Sequence, residues 1–160
     1  KSRILSGILL VIGFSLNVVG QSPPPQESQQ FDFWIGEWNV ITLEGKAAGM
    51  NSIQSIAGGF GLLDNGVGVD GGSGKSLNSY NRSWQQFWVG LGGVLELAGG
   101  LDADGRMVLS GENVTPKGRV LSRITWTPNE DGRVRQQWIN LETTGPTWQT
   151  VFDGLYTHSE

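Results

Sequence analysis

Acid–base and nucleophilic chemistry need residues that this sequence scarcely carries, since it has one histidine, His158, and no cysteine. A serine–histidine–carboxylate arrangement would have to bring His158, at the chain's end, to a buried serine, and no nucleophile elbow is present. The absence of cysteine removes disulfides, thiolate metal sites, cysteine nucleophiles and lipidated anchors together. Asp102-Ala103-Asp104-Gly105 is a fragment of a calcium loop. A hairpin turn, however, uses two aspartates and a glycine in the same way without a metal. Gly71-Gly72-Ser73-Gly74-Lys75-Ser76 invites comparison with a phosphate-binding loop, yet valine stands at position 69 where the pattern requires glycine. The residues that follow read as a strand, so the helix N-terminus that such a loop needs is missing. Catalytic residues, metal ligands and cofactors are therefore all expected to be none.

Binding chemistry is better supplied. Seven tryptophans stand in 160 residues, and five of them are spaced to meet. Trp84 and Trp88 lie four apart on one candidate strand and share a face, while Trp126, Trp138 and Trp148 fall on three successive strands. Gln86, Gln136 and Thr150 occupy matching faces. Rings of this size either fill a small barrel or wall a pocket, and a few hydrogen-bonding groups among them give the make-up of a small-molecule site. The candidate lining is Trp84, Trp88, Trp126, Gln136, Trp138, Trp148 and Thr150.

These side chains have to be positioned by strands. No long stretch after residue 30 has helical periodicity, and glycines punctuate short runs rich in Val, Ile, Leu, Thr and Trp. Ten strands are expected: Trp38–Glu44, Met50–Ala57, Gly61–Val69, Ser76–Asn81, Trp84–Gly90, Gly93–Ala98, Arg106–Glu112, Arg119–Thr127, Arg133–Leu141 and Thr147–Tyr156. Turn chemistry at 102–105, 128–132 and 143–146 joins the later ones as antiparallel neighbours. Alternation puts Val120, Ser122, Ile124 and Trp126 on one face, with Val134, Gln136 and Trp138 sharing a face of the next strand; neither strand has a purely polar face. A sandwich would separate oily from wet faces. Mixed faces suit a barrel with a partly polar lumen, and closure removes unprotected edges. The expected fold is an all-β, antiparallel up-and-down barrel of eight to ten strands.

At the start of this region, Phe31-Asp32-Phe33-Trp34-Ile35 reads as a turn that plugs one barrel end, with Gly36 permitting a sharp entry and Trp38 filling the base. Structural roles are expected for Gly36 and Trp38, with Arg123 or Arg135 covering the indole of Trp38. The segment Phe31–Val40, with its Gly-x-Trp at 36–38, resembles the opening of calycin barrels, the lipocalin and fatty-acid-binding superfamily. Together with Gly71–Asn78, Arg123–Pro128 and Asp153–Tyr156 it is similar to an uncharacterised family of secreted bacterial proteins, a domain of unknown function. The resemblance spans residues 31 to 160 and implies a calycin-like fold without any assigned chemistry. Some calycin barrels ligate heme through a histidine near the end of the last strand, but the neighbours of His158 offer no apolar pocket for one.

Charge and the N-terminus bear on location. Eleven Lys and Arg against fifteen Asp and Glu give a net charge of -4, so nucleic acid is not an expected partner. Lys1 and Arg3 precede an uncharged apolar run over residues 4–20, the pattern of a secretory segment. Seventeen helical residues span about 25 Å, a little less than the ~30 Å hydrocarbon core. Residues 1–20 are expected to be an uncleaved anchor helix in the inner membrane, the alternative being a cleaved signal peptide and secretion. Residues 21–30, rich in proline and glutamine, read as a linker, and 31–160 as the barrel domain on the periplasmic side. The expectation is a non-catalytic, membrane-tethered accessory subunit of a membrane protein complex. The alternative is a lipocalin-like carrier or sensor of a small apolar ligand.

Overall fold

The computed structural model describes residues 22–115, 118–142, 145 and 147–159. The apolar run at 4–20 lies outside the described residues, and among those described no helix is long and apolar enough to cross a membrane. The order is two short 3-10 turns, Gln26–Gln29 and Asp32–Trp34, and then ten strands. These are β1 (Gly36–Thr42), β2 (Ala47–Ile56), β3 (Gly61–Gly68), β4 (Ser73–Tyr80) and β5 (Trp84–Gly90), followed by β6 (Gly93–Leu101), β7 (Met107–Thr115), β8 (Gly118–Pro128), β9 (Val134–Glu142) and β10 (Trp148–His158). Each strand pairs antiparallel with the next, and β10 pairs with β1, giving a closed up-and-down barrel. Every expected strand is present in order, with modest shifts at the ends; β4, for example, starts at Ser73 where the sequence reading starts it at Ser76. The expected linker contains an ordered turn, because Gln26–Gln29 forms a 3-10 turn in which Ser28 is buried and donates to Pro25 O at 2.8 Å.

Hairpin chemistry explains the tight connections. In the Asp102–Arg106 turn, Gly105 takes a φ of +76°, and the Asp102 carboxylate accepts from the backbone N–H groups of Asp104 (3.0 Å) and Arg106 (2.9 Å) and from the Arg106 guanidinium. These donors, led by the Arg106 N–H, hold the Asp102 carboxyl below its ordinary range. In the glycine-rich segment, Gly71 and Gly72 turn the chain, whereas Gly74, Lys75 and Ser76 already belong to β4, with Lys75 outside and Ser76 inside.

The dense core sits at one end. Phe31 and Trp34, carried on the second 3-10 turn, are buried. Phe31 stacks on Trp34 with centroids 5.0 Å apart and meets Trp84 and Trp126 edge-on at 5.4 and 5.0 Å. Trp38 donates from Nε1 to Trp34 O at 2.9 Å, tying the plug to β1. The cover over Trp38 differs from the expected arginine: His158 stacks on it at 4.0 Å with an interplanar angle of 25°. Arg123 lies instead over Trp148, 4.8 Å from the ring centroid, and Arg135 forms a two-pronged pair with Asp153. Strand direction explains this, since both arginines face outward while Trp38 faces the lumen.

Candidate functional site

The other half of the barrel is hollow. A cavity of about 440 Å³ opens beside the loops after β3 and β5, and its walls include Trp88, Trp138, Phe152, Trp126, Ile124 and Tyr156. Two glycines make room for the first of these. In the ladder Gly74 pairs with Gly90 and Ser76 with Trp88, and the indole of Trp88 lies across both glycines. A Cβ on Gly74 would stand 2.7 Å from Trp88 Nε1, and one on Gly90 would stand 2.3 Å from Trp88 Cη2. Trp138 meets Trp88 edge-on at 6.0 Å and is fixed by donating from Nε1 to Asn140 Oδ1 at 2.8 Å.

A belt of polar side chains lies between this aromatic mouth and the plug. Asn51 (β2), Asp64 (β3), Ser76 and Asn78 (β4), Gln86 (β5) and Ser122 (β8) are all buried. Ser76 donates to Asp64 Oδ2 at 2.8 Å, Asn78 Nδ2 donates to Ser76 Oγ at 3.0 Å, and Gln86 Nε2 donates to Asn78 Oδ1 at 2.8 Å. On the facing side Asn51 Nδ2 donates to the Tyr156 hydroxyl at 3.3 Å, and that hydroxyl donates to Gln136 Oε1 at 2.5 Å. Three acceptors have no partner: Asp64 Oδ1, Asn51 Oδ1 and Gln86 Oε1. All three residues line the cavity.

Asp64 is the unusual member. It is a carboxylate 6% exposed inside a barrel, and no arginine or lysine among the described residues makes an ion pair with it. Burial pushes its pKa up to about 6, against the lowering influence of the Ser76 hydroxyl and the Asn51 amide. Burial, and then the nearby charge of Asp64, push the Tyr156 phenol up as well. The phenol is thus a fixed neutral hydrogen-bonding group, and Asp64 is a carboxylate that changes charge near neutral pH.

The candidate lining residues divide by position. Trp88, Trp126, Gln136 and Trp138 border the cavity. Trp84 faces inward but is fully buried against Phe31 and Tyr80 in the plug. Trp148 and Thr150 do not reach the lumen. The β9–β10 register passes from Thr150↔Ile139 to Phe152↔Trp138, so Val151 is an extra residue that reverses the alternation and leaves Thr150 and Trp148 on the outer wall. Asp64, Asn51 and Tyr156 are absent from the sequence-based set. Their signal was a polar residue at alternate positions with glycine, Asp64 and then Gly66, in a strand whose other face carries Leu63 and Val67.

No protein-family model and no curated protein matches the chain.

Proposed function

We propose that this barrel binds a small molecule reversibly in its lumen, as a calycin-like carrier or sensor without a chemical step of its own. The observation that carries this reading is the cavity of about 440 Å³, a volume in the range of small-molecule sites, with aromatic walls at the mouth and unsatisfied polar atoms behind them. A barrel evolved only as a scaffold would fill that end as tightly as the plugged one, because each void forfeits packing energy. The glycines under Trp88 point the same way, since they hold a large ring back against the wall. The apolar run at 4–20 fits a barrel delivered to the extracytoplasmic side. Nile red, a neutral apolar dye, tests the reading: it should bind at one site per chain and quench tryptophan emission through Trp88 and Trp138. An absence of both saturable binding and quenching would sink it.

A second reading, the accessory subunit of a membrane protein complex, draws support from the outer wall. Leu63, Leu77 and Phe87 are in register across β3, β4 and β5 and are 39%, 50% and 47% exposed. Such a stripe is more apolar than a free barrel wall needs, and residues 4–20 would hold it near membrane partners. Gentle detergent extraction followed by native mass spectrometry would find the chain in a larger assembly if this role holds, and alone if it does not.

A further inference from the structure

Resting on the small-molecule reading above, we infer that the ligand is an organic cation, a protonated amine attached to a flat apolar body, with its ammonium group held at Asp64. Asp64 Oδ1, Asn51 Oδ1 and Gln86 Oε1 are buried acceptors without donors, and the indole N–H groups of Trp34 and Trp126, which also line the cavity, are buried donors without acceptors; of these the carboxylate oxygen is the costliest to leave unmet. The partners already present do not relieve this. Ser76 donates to the other oxygen of Asp64, the Asn51 amide donates to Tyr156 and lies near enough to Asp64 only to offset part of its burial, and Gln86 directs its own amide to Asn78. A ligand that completes the site therefore brings donors, and one that also brings positive charge supplies the counter-ion that Asp64 lacks. An alkylammonium brings N–H donors and a unit positive charge together, which is what the buried Asp64 carboxylate lacks.

The walls narrow the class further. A hard metal cation takes six or more oxygens and favours several carboxylates, whereas no group of three or more acidic or histidine side chains comes together among the described residues, and Trp88, Trp126, Trp138 and Phe152 make much of the cavity wall. Indole faces attract organic cations and stack on flat apolar groups. Anions are disfavoured by the buried carboxylate. Neutral apolar molecules would fit the mouth and leave the three acceptors unmet.

Three compounds with similar bodies separate these cases in isothermal titration at pH 7.5 with the whole chain: 2-phenylethylamine (cation), 2-phenylethanol (neutral) and 3-phenylpropionate (anion). The amine should bind at least tenfold more tightly than the alcohol, and the anion more weakly than either. In Asp64→Asn the amine should fall to the level of the alcohol, with alcohol binding retained. Equal binding of amine and alcohol, or preference for the anion, overturns the cation assignment while the cavity reading survives. Failure of all three compounds together with Nile red overturns the cavity reading itself. Because the main comparison uses the unaltered protein, a poorly folding variant would leave it intact.

Discussion

Asp64 makes the residue scale the place where function and stability pull apart. Its pKa is raised from 3.8 to about 6 in the folded protein, so the folded state holds this proton more tightly than the unfolded chain does. Between those two values folding binds protons, and stability attributable to Asp64 falls as pH rises, by about 3 kcal/mol for a shift of this size, with no further change above the folded value. The aspartates bonded to arginine, Asp102, Asp131 and Asp153, are shifted downward and act in the opposite sense, losing stability as pH falls below the ordinary carboxylate range. Comparing the protein with Asp64→Asn isolates the first effect. The variant should be the more stable of the two above pH 6 by roughly 2–3 kcal/mol, and the difference should shrink toward pH 4. Urea unfolding at pH 4.5, 6 and 7.5 measures it; a variant that is destabilised at pH 7.5 would mean that the carboxylate is held by interactions stronger than its desolvation. Asp64 was hard to find in the sequence because a single acidic residue in a strand is ordinarily a solvated one. Its burial follows from which face of β3 turns inward, and that is decided by the neighbours in the ladder.

Strand alternation is readable only while it is uninterrupted, and β10 shows the limit at the scale of elements. A strict period of two places Trp148, Thr150, Phe152 and Tyr156 on one face. The bulge at Val151 puts the first two outside and the last two inside. Nothing in Gln149-Thr150-Val151-Phe152 marks that extra residue, whereas the turn residues at 102–105 and 128–132 identified their hairpins directly. The opening turn was legible for a similar reason: Phe31, Trp34, Gly36 and Trp38 have few uses other than a plug and a strand entry. At Gly36 the backbone has φ +152°, and an added Cβ would lie 3.3 Å from both Trp38 and His158. The glycines of β4 and β5 have an effect that sequence cannot display, because their partner is a ring on a different strand position. Replacing Gly90 by alanine should drive the Trp88 indole off the wall and into the cavity, costing about 1–3 kcal/mol of stability and at least tenfold in Nile red affinity. Fluorescence titration of Gly90→Ala beside a surface control checks this. Unchanged affinity would show that the ring has room elsewhere.

For the molecule as a whole, composition and turns were enough to indicate a closed all-β barrel, but its inverted wall was legible only on β5, where Gln86 shares a face with Trp84 and Trp88, and not on β3 or β4. Over β3, β4 and β5 the lumen holds Asp64, Ser76, Asn78 and Gln86, while Leu63, Leu77 and Phe87 look outward. On β3 and β4 hydrophobicity alone does not select this face, whereas on β5 the two tryptophans Trp84 and Trp88 do. The register is held by the linked side-chain hydrogen bonds of the lumen and by Leu62 and Trp84, which anchor the same faces in the plug. Closure is the other global property. The seam between β1 and β10 includes Trp38↔His158, Asn39↔Thr157 and Val40↔Tyr156. Ending the chain after Leu155 removes these three pairings and exposes two edges. The shortened protein is expected to lose its single cooperative unfolding transition and to gain a tendency to self-associate. Thermal melts and light scattering decide the matter, and an unshifted, monomeric melt would count against closure as a requirement for folding.

The same seam fixes where the ends of the described chain lie. Ser159 donates its N–H to Glu37 O at 3.0 Å, and Pro24 lies against the turn at Gly59, so the first and last described residues lie at the plugged pole. The opening beside the loops after β3 and β5 is at the opposite pole. A handle joined directly before residue 22 or after residue 159, whether a fused domain or a surface used for immobilisation, therefore leaves the mouth pointing away from the point of attachment. A circular permutant that joins these ends at the plugged pole and is cut at Leu91-Gly92 would reverse that orientation without altering the order of strands around the barrel.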